Sequence, residues 1–531
     1  MASTIMEQII ECLDNKNNFL LSGGAGSGKT YTLIQTLNYV FNKNNNVSVA
    51  CITYTNVAAD EIKERSPFSN LFVATIHDFL WEEIKDYQKN LKESLINLLQ
   101  NGEISYSGEI EISNIIFDKI VYKNYRKIEN GVISHDDLLK IANYMFSKYP
   151  LLSKILCDKF DYIFIDEYQD TQKSVIEIFL SHITNIAKDK LGIGFFGDKM
   201  QCIYETGVGN IQEYISNGQV KEIIKEDNFR CSVSVIELLN KIRSDIMQNP
   251  AKVLDDGSIV NKVGSAKFLY SYSASEFKLD DIKESEFTLN WNFDNSDNTK
   301  VLFLTHKLNA ELLGFAELLS SYKHTDNLIG NDLDRLALHL QKIGGIIYHY
   351  EQRNYAYVLE QIHKKVKTLS NKKEISVCLK QVLDNKNMTI EELINYFNVN
   401  KIVLIDDNLK IYIENNNDIF NKIKELSRLQ VQSYFLYYNK FSPFSTQHGV
   451  KGAEFDNVLV VMDNGKWNNY NFKYYFENTP TKEKIIQRTE KIFYVTCSRA
   501  KDNLIVYYPS PSEAIISQAQ ILFGDNNVHK I

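Results

Sequence analysis

The sequence predicts an α/β fold of parallel sheets flanked by helices, and three observations lead there. An apolar run, Phe19-Leu20-Leu21, reads as a buried strand and passes at once into Gly23-x-x-x-x-Gly28-Lys29-Thr30, then into a helix through Thr32-Leu33-Ile34. Further short apolar runs, each followed by a loop or helical pattern, recur at 47–54, 71–75, 160–166, 191–196 and 220–224, the alternation that a parallel sheet requires. A chain of 531 residues is too long for one core. A second series of strand and helix units begins near residue 255, with strands at 301–305, 457–462 and 503–508.

The element at 19–30 has the form of a phosphate-binding loop. Gly23, Gly24, Gly26 and Gly28 are expected to take φ > 0 and approach a pyrophosphate, with Ala25, Ser27 and Tyr31 completing the cradle. The anion then faces backbone N–H groups and the positive end of the following helix. Lys29 is expected to reach the β- and γ-phosphates and Thr30 to ligate Mg²⁺, so ATP and Mg²⁺ are the implied cofactors. The strand at 160–166 delivers two adjacent acids. Asp166 suits the Mg²⁺ shell, and Glu167 suits orienting and deprotonating an attacking water. Gln201, after the strand at 191–196, is placed to feel the γ-phosphate, and Arg230, after the strand at 220–224, is a further candidate ligand for it. Gln8 precedes the loop on a short helical stretch, and its amide matches the N6/N7 edge of adenine. Arg499, beside small residues after a helix, has the character of an arginine finger.

A second set of residues points to a polynucleotide. Thr53, Tyr54, Thr55 and Asn56 close one strand, and Thr75 and His77 close the next, at the strand ends where open α/β sheets bind ligands. Hydroxyls and an amide suit backbone phosphates, and Tyr54 suits stacking on a base. The plain alternative is that these hydroxyls cap helices.

The net charge of −8 excludes a uniformly basic nucleic-acid coat but leaves room for a local cationic groove. Seven scattered cysteines without a C-x-x-C pair argue against a disulfide framework or a zinc ribbon. The absence of a bilayer-length apolar run and of a signal-like N-terminus leads to the expectation of a cytoplasmic protein. The expected division is a first domain at 1–80 and 150–250 with a helical insertion at 81–149, then a second domain at 251–320 and 441–531 with an insertion at 321–440. That second insertion reads as polar and helical apart from a hairpin around 401–413.

Taken in order, Gln8, the phosphate loop, TYTNVAADEI, TIHDF, FIDEYQDT, GDKMQCIY, NFRCS, TQHGVKGAEF and FYVTCSRAKDNL resemble the motifs of the UvrD/Rep/PcrA-type superfamily 1 DNA helicases, with similar spacing. The resemblance implies two RecA-like P-loop NTPase domains, each with a mainly helical insertion, clamping ATP. Lys29, Thr30, Asp166, Glu167 and Gln201 would come from the first domain and Arg499 from the second. It also implies that Gln8 reads adenine, that Arg230 touches the γ-phosphate and that Glu454 contacts the ribose. Single-stranded DNA would run along Thr53, Tyr54, Thr55, Asn56, Thr75, His77 and His448, with 3′→5′ movement, in anti-phage defence or DNA repair. The sequence departs from the family after Tyr204, where a base-stacking aromatic is replaced by Glu205-Thr206-Gly207, and at Ala453, where the family has Leu. The insertions are short, and about 30 residues follow Arg499, too few for a fused nuclease. Size and layout resemble the helicase-like subunits of Gabija-type anti-phage systems, which pair with a separate nuclease. The alternative reading is an ATP- or DNA-sensing subunit that controls such a partner without unwinding.

Overall fold

A strand apolar at every position needs cover on both faces, and β1 (Phe19–Gly23) is buried throughout. The computed structural model describes residues 3–187, 189–204, 207–209, 211–251, 262–272, 279–464 and 467–531. By packing, the chain divides into two units. One comprises Met1–Ser265 and Glu490–Ser498, the other Ala266–Thr489 and Arg499–Ile531.

In the first unit, β1 is joined by β2 (Val49–Thr53), β3 (Leu71–Thr75), β4 (Tyr162–Asp166), β5 (Gly192–Gly197) and β6 (Lys221–Lys225) in one parallel sheet of order β3-β2-β4-β5-β1-β6. Each strand lies within two residues of its sequence-read position. Alternation along the strands divides the core in two. Phe19, Leu21, Val49, Cys51, Phe164 and Phe196 face one side. There they meet α1 (Ile5–Asp14) and α2 (Lys29–Lys43) through Ile9, Leu13, Leu33 and Leu37, and α3 (Asn56–Arg65) through Ile62. Leu20, Ala50, Ile52, Ile163, Ile165 and Phe195 face the other, against α4 (Ile76–Ile84), α5 (Gln88–Gln100) and α6 (His135–Lys148). The segment 81–149 thus covers one face of the sheet and shares its core.

The second unit carries β7 (Ser265–Ser271, whose first residue still counts with the first unit), β8 (Thr299–Phe303), β9 (Phe444–Thr446), β10 (Phe455–Val461), β11 (Ala500–Pro509) and β12 (Val528–Lys530). They form a second six-stranded sheet of order β9-β8-β10-β11-β7-β12. The helices between β8 and β9 have a core of their own, from Ala310 to Tyr437, to which no strand of the sheet contributes. Two of them, α7 (Arg335–Glu351) and α8 (Leu429–Tyr438), pack closely. Both sheets thus agree with the α/β class read from sequence.

Two expectations change. The hairpin around 401–413 is instead a turn followed by the helix Asp407–Asn415, whose N-cap Asp406 accepts from the amide of Leu409. The short run Ile402-Val403 is apolar because it closes the helical core, and a run that short does not distinguish strand from buried turn. In addition, Glu490–Ser498, at the end of α9 (Glu483–Cys497), packs in the first unit, although the sequence reading put all of 441–531 in the second domain. The expected start of that domain near 255 falls outside the described residues.

The α7–α8 contact depends on Gly344. A Cβ there would lie 2.7 Å from Cβ of Phe435, an atom fixed to its own helix. Alanine gains about 1 kcal/mol of helix propensity, against roughly 1–3 kcal/mol for overpacking. Gly344→Ala is therefore expected to lower the melting temperature, and an unchanged or raised value would show that the two helices separate freely.

Candidate nucleotide site and nucleic-acid face

The central strands of the first sheet bring most of the expected nucleotide residues together. β1 runs into the phosphate loop, β4 into Asp166 and Glu167, and β5 into Gln201, while β6 leads to Arg230. All lie at the carboxyl ends of parallel strands, where such sheets bind ligands. The four loop glycines have different reasons to be glycine. Gly26 and Gly28 have φ of +77° and +75°, as expected. Gly23 and Gly24 do not have positive φ, which corrects the expectation; they are glycine because a Cβ would meet Ser27 Oγ at 2.5 Å and Gln248 Nε2 at 2.2 Å. Arg230 lies along the loop, its Cβ 2.6 Å from where a Cβ of Gly26 would stand.

Lys29 is almost buried, and its ammonium donates to Gly23 O at 3.0 Å and Gly24 O at 3.3 Å. Thr30 and Tyr31 follow in the first turn of α2, Thr30 half-buried and Tyr31 exposed. The peptide of Ala25 is held from both ends. Its N–H donates to Tyr494 Oη at 3.0 Å, and its carbonyl accepts from the side-chain amides of Asn228 and Gln248 at 3.1 Å each. The apex is thereby fixed by protein contacts, and the Ser27 N–H turns back to Gly24 O at 3.2 Å.

Asp166 is buried, and its Oδ1 accepts from the Glu167 amide at 3.0 Å. Burial raises its pKa, the adjoining Glu167 raises it further, and Lys29 opposes both. Such an acid pair favours a cation beside it, which fits Mg²⁺ at Asp166 with Thr30. Glu167 is in the left-handed region at φ 50°, ψ 43°, an uncommon conformation for a residue with a Cβ and one found at functional sites. Its carboxylate accepts from the side-chain amide of Gln169.

A buried network that sequence reading missed extends from this point. Gln169 Oε1 accepts from the amide of Asp198 at 3.1 Å, and Asp198 Oδ2 accepts from Gln201 Nε2 at 3.1 Å. Arg243 then closes the structure. An arginine has five N–H donors, and here each has a partner: Asp198 twice at 3.1 Å, Asp245 at 2.8 and 3.1 Å, and Tyr494 Oη at 2.7 Å. Arg243 thus ties the acid and glutamine loops, through Tyr494, to the apex of the phosphate loop. Asp198 and Asn228 lie inside recognisable motifs, but Arg243 carries no local signal.

The polynucleotide candidates divide. Thr53 is buried, its hydroxyl donating to Thr55 O at 2.9 Å. Thr55 and Thr75 cap α3 and α4, accepting from Ala58 N at 3.2 Å and Asp78 N at 3.3 Å, which is the plain alternative for those hydroxyls. Asn56 is exposed, and Tyr54, also exposed, stacks on Tyr204 with centroids 6.1 Å apart. His77 lies against the ring of His135 at 4.9 Å. In the second unit, His448 Nε2 pairs with Tyr470 Oη at 2.8 Å, and Arg499, almost fully buried, donates to Ala453 O at 3.1 Å. Glu454 is exposed beside it in sequence, and Gln8 is half-buried, donating to Ser3 O at 3.1 Å. Glu205 and Thr206, where the family's aromatic is missing, lie outside the described residues.

Comparison with known proteins agrees with this geometry. A model of an AAA domain matches residues 6–207. Gabija protein GajB of Bacillus cereus strain HuB5-5 is 29% identical, covering 97% of this chain and 96% of its own length. GajB of strain VD045 is 26% identical over 94% of each. The ATP-dependent DNA helicase PcrA of Bacillus subtilis is 23% identical over 50% of this chain and 44% of its own.

The chain is similar to the GajB proteins along nearly its whole length and to a PcrA-type helicase over half of it.

No helix among the described residues is long and apolar enough to cross a membrane. Two predictions follow from the site. Replacing Arg243 by Met leaves the buried Asp198 without its counter-charge, while Asp245 keeps Lys199 at 3.2 Å, a loss of about 3–5 kcal/mol where one partner of a buried ion pair is removed. Arg243→Met is expected to lower the urea midpoint, and adding Asp198→Asn should recover part of the loss; additive losses would refute the coupling. The second concerns acid. Burial pushes His77, His339 and His448 down to about 4, below the value of about 6.5 for an unfolded histidine. The unfolded chain therefore binds protons first, so stability present above pH 6.5 is lost as pH falls towards 4. Thermal melts are expected to show this loss, reduced in His339→Phe.

Proposed function

We propose that this protein hydrolyses ATP to move 3′→5′ along single-stranded DNA, separating strands and serving anti-phage defence beside a separate nuclease. The observation that carries the reading is the convergence of the phosphate loop, Asp166, Glu167 and Gln201 on neighbouring strand ends, with the exposed Tyr54–Tyr204 stack close by in the same unit. The polarity and the nuclease rest on the resemblance to PcrA-type and Gabija proteins. The proposed domains are 1–80 with 150–250, and 251–320 with 441–531, carrying insertions at 81–149 and 321–440; the two sheets support the pair of RecA-like domains.

In this reading the loop amides, Lys29 and the start of α2 bind the phosphates, with Gln8 on the adenine and Glu454 on the ribose. Mg²⁺, held by Thr30 and Asp166, would neutralise charge on the phosphate oxygens. Glu167 orients water and takes its proton. Its left-handed backbone and the Gln169 amide fix its direction, so little reorganisation is left to the reaction. Gln201, held by Asp198, and Arg230, lying along Gly26, are the proposed γ-phosphate sensors. Arg499 is the proposed finger, a role resting on the resemblance. The Tyr54–Tyr204 stack offers an exposed aromatic platform, Tyr204 being next in sequence to the position of the family's missing aromatic, which favours the motor over a sensing subunit. His448, His77 and Asn56 complete the proposed strand path, with Thr53, Thr55 and Thr75 shaping the loops that bear it.

The test is steady-state ATPase activity with and without single-stranded DNA at fixed salt, because phosphate contacts make affinity salt-dependent. Lys29→Ala is expected to lose ATP binding, whereas Glu167→Gln should keep it and turn over about 10²–10⁴-fold more slowly. Arg499→Ala should bind ATP and lose rate; wild-type turnover there removes it from the site. Tyr54→Ala should weaken DNA binding by about 1–3 kcal/mol. Hydrolysis that DNA does not stimulate would favour the sensing subunit.

A further inference from the structure

Lys225 ends β6, paired in register with Gly23, where β1 enters the phosphate loop. It is 8% exposed, as is Lys29. Its ammonium has three donors. One goes to Thr32 Oγ1 at 2.8 Å, in the first turns of α2, and the others have no protein acceptor among the described residues. No carboxylate lies within ion-pairing distance of either lysine among those residues. Burial lowers the pKa of Lys225, with Asp227 opposing and Lys29 adding to the effect. The ammonium is 3.9 Å from where a Cβ of Gly28 would stand, and 5.6 Å from the centroid of the Phe229 ring.

Two nearly buried ammonium groups thus stand at one loop, in a chain of net charge −8, with no carboxylate paired directly to either among the described residues. Burial of an uncompensated cation is unfavourable, and an anion seated on the loop relieves it at both lysines together. We propose that Lys225 is a second phosphate-binding cation of the nucleotide site, reaching the phosphates that ADP and ATP share. The assignment follows from its place beside Gly28 and Thr32, at the helix end of the loop, whereas Gln201 and Glu167 extend from β5 and β4. The sequence gives no hint of it, because the lysine stands at the end of a strand, three residues before the nearest motif residue, Asn228. This inference rests on the nucleotide site proposed above.

The experiment is titration of fluorescent ADP and ATP analogues into the wild type, Lys225→Met and Lys225→Arg, with thermal melts to confirm folding. A charged hydrogen bond of ordinary strength predicts that Lys225→Met loses about 10- to 100-fold in affinity for both nucleotides. Lys225→Arg should recover most of it. Affinity within twofold of wild type in Lys225→Met overturns the proposal while leaving the site intact. So does a loss that Lys225→Arg does not recover and that tracks a lowered melting temperature, since a purely structural lysine behaves in that way. A wild type that binds neither nucleotide overturns the site itself.

Discussion

The buried guanidinium of Arg243 is the interaction on which the first unit's chemistry depends. Charge taken out of water is costly unless its donors are satisfied, and five donors meeting Asp198, Asp245 and Tyr494 achieve this. The same contacts join three parts of the chain, the loop of Asp198, the segment 243–245 and the helix that bears Tyr494. Asp198 in turn holds Gln201 and, through its amide, Gln169, while Tyr494 holds the apex of the phosphate loop. A hydrogen-bonded array of this kind has few alternative arrangements, and so it sets geometry where propensity alone would leave freedom.

The phosphate loop itself follows the same logic on a smaller scale. Its apex peptide at Ala25 has all its hydrogen bonds made by protein, so the donors nearby are ordered before any anion arrives. Preorganised dipoles cost no reorganisation on binding. Ser27 Oγ, buried in the same loop, is a further polar atom without a hydrogen-bond partner among the described residues.

Much of this was legible in the sequence because the signals are local. A strand, a glycine-rich turn and a lysine must be contiguous to cradle phosphate, and an acid pair must directly follow its strand. Alternating apolar runs gave the two sheets for the same reason. What was not legible depends on contacts distant in sequence. Arg243 and Lys225 look like ordinary surface residues until Tyr494 and Gly28 are placed beside them. Gly23 and Gly24 are glycine for space, a reason that only neighbours reveal. Thr55 and Thr75 have hydroxyls suited equally to a cap and to a phosphate, and residue type cannot separate the two. The 401–413 segment misled because a short apolar run has no period long enough to distinguish a strand from a turn that closes a helical core.

The two insertions differ in how they are attached to cores, and this governs how the chain comes apart. The helices of 81–149 complete one face of the first sheet, so they cannot detach without baring Leu20, Ile52 and Ile165 to water. The helices from Ala310 to Tyr437 bury their apolar residues in a core that no strand residue joins among the described residues. They therefore form a cooperative unit that can open while the sheet remains folded. Amide hydrogens of that segment are expected to exchange as a block, on a free energy of their own, and those of 81–149 together with β1, β2 and β4.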